Sequence, residues 1–147
     1  MFRGWYDHTM DGKGRVSVPS RFREVLTDKY SSEELVVTNF DRCLVAYPRE
    51  EWELLERKAS EFPQLKREVK SFLRYFISGA VECPLDRQGR VLIPPTLRQY
   101  ADLDRHIVLV GMLKKIEIWS KARWQEVFAQ SQKNFEEISD VLAELGL

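Results

Sequence analysis

Two arginines each follow a tight-turn motif, a setting in which an arginine is well placed to bind a phosphate or a nucleic-acid base. The motifs are Asp11-Gly-Lys-Gly-Arg15 and Asp86-Arg-Gln-Gly-Arg90. Aspartate at the first position and glycine at the fourth are typical of a type I turn, because the carboxylate accepts hydrogen bonds from turn amides and glycine tolerates positive φ. The predicted structural turn residues are therefore Asp11, Gly14, Asp86 and Gly89.

The strand after the first turn is expected to point its arginine outwards. Arg15 alternates with Val16 and Val18, so the valines should face a core while the arginine faces solvent. A two-stranded β-ribbon fits the major groove of DNA, where an arginine can clamp phosphates or read guanine. The alternative is that Arg15 pairs with Asp11 or Asp7 and only pins the turn. Local chemistry favours DNA contact over this structural role.

The second motif has the same pattern. Val91 and Ile93 should face inwards and Arg90 outwards. Cations also occupy the turns themselves, as Lys13 in the first and Arg87 in the second. Both turn-and-strand units are therefore candidate DNA contacts.

Catalytic arrangements are hard to find in the chain. His8 and His106 are far apart in different halves, and neither has metal-ligand spacing. Ser17 and Ser20 have no evident histidine partner, and no phosphate loop or nucleophile elbow is present. Turn capping explains the aspartates more simply than a catalytic carboxylate pair. We therefore expect no catalytic residue, no metal, no cofactor and no small-molecule substrate, and predict that the protein is not an enzyme.

Composition suits a small folded protein with local rather than general charge. The chain has 147 residues, 44% of them apolar, and its 23 basic and 23 acidic side chains cancel. This argues against a uniformly basic nucleic-acid binder but permits a local basic face. No run approaches the roughly 18 apolar residues of a membrane span, and the N-terminus lacks a signal-peptide pattern. We expect a cytoplasmic protein in which Cys43 and Cys83 are small buried hydrophobes.

An internal repeat is the most specific feature of the sequence. Residues 11–23 match residues 86–98 without a gap, sharing Asp, Gly, Arg, Val, Pro and Arg at equivalent positions. Further matches follow in the same order: 35–40 with 107–112, 44–47 with 116–119, and Trp52 with Trp124. So many matches in one order indicate a duplication.

Each copy predicts the same series of elements. Two short strands should form a β-hairpin around the turn, at 5–10 with 15–18 and at 80–85 with 90–93. A short helix should follow the proline, at 19–26 and 95–101. Two further strands are predicted at 35–40 and 43–47, and at 106–111 and 115–119.

Amphipathic helices should close each copy. Apolar residues recur at helical spacing from Trp52 to Phe76, interrupted at Pro63, and again from Trp124 to Leu145. The first stretches are expected to cover the modules. For the last stretch, covering the module and contacting another subunit stay equally open.

At this point the sequence resembles the MraZ family, from residue 1 to about residue 125. The resemblance rests on Met1-Phe-Arg-Gly4, Asp11-Gly-Lys-Gly-Arg-Val-Ser-Val-Pro19 with Phe22-Arg23, Cys43-Leu-Val-Ala-Tyr-Pro48 with Trp52, Asp86-Arg-Gln-Gly-Arg-Val-Leu-Ile-Pro94, and Ile116-Glu-Ile-Trp119 with Trp124. It implies a mainly β fold with α-helices. Two AbrB-like swapped-hairpin β-barrel modules would be related by a pseudo-twofold axis, with covering helices around them.

The resemblance also implies a division of the chain and a function. Module 1 would span 5–50, a helical connector 51–78, module 2 79–122, and a C-terminal helix 123–147. MraZ proteins are DNA-binding transcriptional regulators associated with the bacterial nucleoid, and they act on short tandem repeats upstream of division and cell-wall genes. They assemble into rings of many subunits. The expected partners are therefore double-stranded DNA and further copies of the chain, with no membrane.

Carried over residue by residue, the resemblance implies that Arg15 is the principal DNA contact, supported by Lys13. Arg90 and Arg87 would act in the second copy, where Gln88 replaces the lysine and weakens phosphate binding. Arg3 matches the start of the family pattern as a further DNA contact. The competing hypothesis is an interaction protein, such as an antitoxin-like module that holds a protein partner through its last helix.

Overall fold

The computed structural model describes all residues, 1–147, and contains eight strands and six α-helices. The strands are β1 Trp5–Thr9, β2 Arg15–Ser17, β3 Glu34–Phe40, β4 Cys43–Pro48, β5 Val81–Pro84, β6 Arg90–Leu92, β7 His106–Met112 and β8 Lys115–Ser120. The α-helices are α1 Ser20–Lys29, α2 Arg49–Ser60, α3 Arg67–Phe72, α4 Pro95–Tyr100, α5 Lys121–Asn134 and α6 Ser139–Glu144. A π-helical turn, Leu73–Ile77, continues α3, and a 3₁₀ turn, Glu136–Ile138, precedes α6. No helix combines the length and the apolar character needed to cross a bilayer.

Strands from both sequence repeats form one antiparallel sheet. The six-stranded order is β1-β7-β8-β4-β3-β5, and β2 pairs with β6 in a separate two-stranded sheet. Thus β1 of the first repeat lies beside β7 of the second, and β5 of the second repeat lies beside β3 of the first.

The predicted local hairpins are therefore wrong in their pairing, although each turn is present. Near the first turn, only an isolated bridge between Met10 and Val16 joins the two arms. The physical reason is burial: the β2–β6 pair places Val16 opposite Val91, and both side chains are fully buried. Alternation of apolar and polar residues along a strand indicates which face is buried, but it does not indicate which strand pairs with it.

The sheet has a hydrophobic core on each face. On one face, Val16 and Val91 pack with Phe22 of α1 and Leu97 of α4. On the other face, Trp52 of α2 and Phe76 of the π-helical turn pack against buried strand residues such as Trp119. Because every central strand is covered on both sides, β3, β4, β7 and β8 are almost continuously apolar, as expected for strands buried on both faces.

The description of the fold as mainly β is wrong, because helical residues outnumber strand residues and the fold is mixed α/β. The connector between the repeats and the C-terminal region are both helical. The apolar stripe from Trp124 to Leu145 is also not one helix, since α5 ends at Asn134. Trp124 and Phe128 pack against Trp5, whereas residues from Phe135 onward are mostly exposed.

Gly111 allows the N-terminal segment to lie against β7. A Cβ at this position would overlap the Arg3 amide nitrogen and would lie 2.6 Å from Arg3 Cα. The segment is anchored by buried Phe2, whose amide donates to the Leu113 carbonyl at 2.8 Å. Backbone atoms cannot move aside as the end of a flexible side chain can.

Gly111→Ala is therefore expected to destabilise the fold by roughly 3 kcal/mol, measured by thermal or denaturant unfolding. Gly12→Ala is the matched control, because no atom lies within 4 Å of a Cβ at Gly12. That variant should change stability by less than about 0.5 kcal/mol. Equal effects of the two substitutions would show that Gly111 has no special packing role.

Candidate nucleic-acid interface

The two-stranded sheet formed by β2 and β6, which we call the central ribbon, brings both predicted arginines onto one exposed face. Arg15 lies opposite Leu92, and Ser17 lies opposite Arg90. The valines between them point to the core, so the outer face carries the two arginines at diagonal positions. Diagonal residues of an antiparallel pair lie about 7–8 Å apart. The exposed face of the central ribbon is therefore a compact patch with one arginine from each repeat.

The first turn holds its arginine through the aspartate that starts it. Asp11 Oδ1 accepts from the amides of Lys13, at 3.0 Å, and Arg15, at 2.9 Å. Arg15 Nε donates to Asp11 Oδ2 at 2.6 Å. The second turn repeats these contacts: Asp86 Oδ1 accepts from the amides of Gln88 and Arg90, and Arg90 Nε donates to Asp86 Oδ2 at 3.0 Å.

The ion pair between Arg15 and Asp11, which is the structural alternative to DNA contact, is thus present. Its geometry is compatible with a structural role and with DNA contact. Within the Arg15 guanidinium, Asp11 contacts only Nε, and the two terminal nitrogens donate no hydrogen bond within the protein. About a third of the Arg15 side chain is exposed, at 35%. An arginine fixed through Nε still presents two terminal NH₂ groups in a planar fork that matches a phosphate or a guanine edge. Asp7 pairs with Lys121 at 3.2 Å and not with Arg15.

Hydrogen bonding lowers the pKa of both turn aspartates. The Arg15 amide, followed by the Arg15 guanidinium and the Lys13 amide, holds the pKa of Asp11 at about 2, below its ordinary value of 3.8. The amides of Arg90 and Gln88 and the Arg90 guanidinium lower the pKa of Asp86. The charged form of each carboxylate is therefore more stable, relative to the protonated form, in the folded protein than in the unfolded chain.

The lowered pKa of Asp11 predicts a pH-dependent contribution to stability. Because the folded-state pKa is depressed, the contribution is complete above the unfolded-state pKa and is lost as pH falls through the folded-state pKa. The Tm difference between the wild type and Asp11→Ala should be constant above about pH 5 and should shrink between roughly pH 4 and pH 2. Thermal melts across this range measure the difference. Asp11→Asn is the control: its Tm difference from Asp11→Ala should not change with pH, because neither variant has a titrating carboxyl at this position. A difference that persisted undiminished at pH 2 would contradict the role of the Asp11 carboxylate.

Each turn glycine is covered by an arginine from the other repeat. Gly14 has φ +90°, and a Cβ there would lie 2.8 Å from Cζ of Arg98. Gly89 has φ +74°, and a Cβ there would lie 2.7 Å from Cδ of Arg23. No role for Arg23 or Arg98 is evident from the local sequence pattern. The available signal was their coincidence at the last position of the repeated block.

The other predicted DNA contacts differ in where they lie relative to the central ribbon. Lys13 and Arg87 are exposed in the turns that flank the central ribbon. Arg3 is exposed beside α1, in a surface groove that it shares with Arg21, and not on the central ribbon.

The two histidines are closer than the sequence suggested, so the description of them as far apart is wrong. Strand exchange places β1 beside β7, with His8 opposite Ile107 and His106 opposite Thr9. Neighbouring register positions point to opposite faces of the sheet, so the histidines do not converge. No group of three or more His, Cys, Asp or Glu side chains is arranged to hold a metal ion. Both cysteines are free and buried, as predicted.

Comparison with known proteins gives a match over the whole chain. A family model described as "MraZ protein, putative antitoxin-like" matches residues 1–75 and again residues 76–144. A protein from Syntrophobacter fumaroxidans is 46% identical over 146 residues, which is 99% of this chain and 97% of the relative. Proteins from Desulfitobacterium hafniense strain Y51 and Pediococcus pentosaceus are 44% and 42% identical over the full length of both chains. All three relatives are named "Transcriptional regulator MraZ".

Proposed function

The chain belongs to the MraZ family, and we propose that it is a DNA-binding transcriptional regulator that recognises specific base sequences. Its targets are short tandem repeats upstream of division and cell-wall genes, which it binds as a ring-like homo-oligomer at the nucleoid in the cytoplasm. The observation that carries this proposal is the central ribbon, which presents Arg15 and Arg90 on one exposed face. An antiparallel ribbon of this kind has the width to enter the major groove.

Within the proposed interface, the residues have different tasks. Arg15 is the principal contact, because Asp11 aligns its guanidinium while leaving the terminal nitrogens available. Arg90 has the same alignment from Asp86 but lies in the turn where Gln88 replaces a cation. Lys13, Arg87 and Arg3 contact phosphates and position the protein without reading bases.

For the fold, we propose that the two repeats form AbrB-like swapped-hairpin modules related by a pseudo-twofold axis. The pairing of β1 with β7, of β5 with β3 and of β2 with β6 supports an exchange of the N-terminal strands between repeats. We retain 5–50 and 79–122 as the two modules, joined by 51–78 and followed by 123–147.

The small number of cations in one protomer supports the proposed assembly. With zero net charge and two arginines on the central ribbon, a single protomer is expected to bind DNA weakly. Several protomers in one assembly would engage tandem repeats together, and avidity would raise the overall affinity without new types of contact.

Footprinting on the DNA upstream of this protein's own gene tests the proposal. The expected result is protection at regularly spaced short repeats. In a gel shift, binding to the same DNA should persist when competitor DNA is added. Binding that competitor DNA removes entirely would contradict sequence recognition. The competing candidate, a protein that holds a protein partner through its exposed C-terminal segment, would give neither protection nor a shift.

A further inference from the structure

The C-terminal segment 135–147, here called the tail, is an amphipathic segment without a partner in the protomer. Its apolar residues Phe135, Ile138 and Leu145 are 62%, 40% and 73% exposed. The backbone hydrogen bonds of residues 138–147 join them to Phe135 or to later residues, never to the body of the fold. Helices this short are marginal in water without tertiary contacts. The tail therefore needs a surface to pack against.

A groove between α2 and α3, here called the α2–α3 groove, is a surface of matching character. It has a volume of about 330 Å³ and a floor that includes Tyr47, Leu55 and Phe72. Leu54 and Phe62 line it and remain 47% and 44% exposed, which is unusual for large apolar side chains that surround one cavity. No residue of the tail lines the groove of its own protomer.

The charges of the two surfaces are complementary. The charged side chains of the tail are all acidic: Glu136, Glu137, Asp140 and Glu144. The groove is bordered by Lys58 and Lys114, with Glu51 as its one acidic residue. The neighbouring Lys115 ammonium lies 5.9 Å from the ring of Tyr47 on the groove floor. An apolar segment edged by carboxylates thus fits an apolar groove edged by ammonium groups.

We propose that the tail of one protomer docks in the α2–α3 groove of a second copy of this chain. The inference rests on the proposed self-assembly and identifies its contact surfaces. Every copy carries both the tail and the groove, so the contact can repeat head-to-tail, and it closes into a ring when the rotation between neighbours divides a full turn. The apolar residues of the tail enter the groove while its carboxylates approach Lys58 and Lys114.

A mixing experiment with two full-length variants tests this directly. The tail variant carries Ile138→Asp and Leu145→Asp, and the groove variant carries Leu54→Asp and Phe62→Asp. All four side chains are at least 40% exposed, so the fold should tolerate the changes. Lys58→Glu with Lys114→Glu is a second groove variant, in case the apolar one does not fold. Leu92→Asp, at a 57% exposed position on the central ribbon, is the control.

Analytical ultracentrifugation should show the wild type and the control as multi-protomer species and each variant alone as a single protomer. An equal mixture of the two variants should form two-protomer species, because one intact groove then meets one intact tail. A mixture that stays single, or a variant that keeps the wild-type mass, would overturn the tail–groove contact. If a variant keeps the wild-type mass, the protein still self-assembles, but through another surface. A wild type that sediments as one protomer would overturn self-assembly as well.

Discussion

Replacing Arg15 with alanine is expected to weaken DNA binding far more than it weakens folding. The turn keeps its hydrogen bonds from the backbone amides to Asp11, and Val16 stays in the core. The lost ion pair is partly exposed, and exposed pairs contribute little to stability. The Tm should therefore fall by no more than about 4 °C.

The loss of DNA affinity should be large because the lost contact is repeated in every protomer of an assembly. A bidentate contact to guanine is worth about 1–3 kcal/mol, or roughly 5- to 150-fold per protomer. Each lost phosphate contact should also flatten the plot of log affinity against log salt by about 0.9. DNA titrations at several salt concentrations, with thermal melts of the same samples, measure both effects.

Two further variants separate the possible roles of Arg15. Arg90→Ala should reduce DNA affinity less, since the second turn lacks the lysine of the first. Asp11→Ala should reduce stability through the turn, which loses two amide hydrogen bonds. If Arg15→Ala melted much earlier while its folded fraction bound DNA normally, Arg15 would be a structural partner of Asp11. The DNA contact would then lie at Lys13, Arg3 or the second turn.

An assembly-deficient protein should lose its affinity for tandem repeats while keeping its affinity for a single repeat. The tail variant with Ile138→Asp and Leu145→Asp leaves the central ribbon unchanged, so its intrinsic contact with one repeat stays the same. On four repeats, the wild type benefits from multivalent binding, which can exceed the single-site affinity by about 10²- to 10⁴-fold. The variant should lose most of this gain.

Fluorescence anisotropy with duplexes of equal length, carrying either one repeat or four, measures the difference. Leu92→Asp is unsuitable as a control here because Leu92 lies on the central ribbon. Gly12→Ala is also unsuitable because Gly12 lies in the DNA-contacting turn. Glu56→Gln, on the exposed part of α2, is the better choice. Equal losses on both duplexes would indicate damage to the DNA contact and not to the assembly.

Local features of the site were accessible from sequence because they depend on neighbours in the chain. The Asp-x-x-Gly pattern specifies a turn through short-range hydrogen bonds, and alternation in β2 separates Arg15 from the buried Val16. The strand positions from β3 to β4 and from β7 to β8 were also predictable within one or two residues, because these runs are short, apolar and bounded by turns.

Features that depend on the other repeat could not be predicted from local patterns. The pairing of β2 with β6, rather than with β1, is decided by burial of Val16 against Val91, across 75 positions of sequence. The placement of Arg98 over Gly14 has the same origin. The break after Asn134 was hidden because helical periodicity continues through Leu145, while the protomer offers this segment no surface to pack against.

Site-specific photo-crosslinking tests the central claim most directly, namely that DNA lies on the exposed face of the central ribbon. A photoreactive amino acid replaces Ser17, which lies on that face opposite Arg90. The control replaces Glu56, an exposed residue of α2 on the other side of the sheet. We predict that irradiation of the DNA complex links position 17 to the repeat DNA and leaves position 56 unlinked. Crosslinks from position 56 without crosslinks from position 17 would contradict the assignment of the central ribbon as the DNA-binding surface.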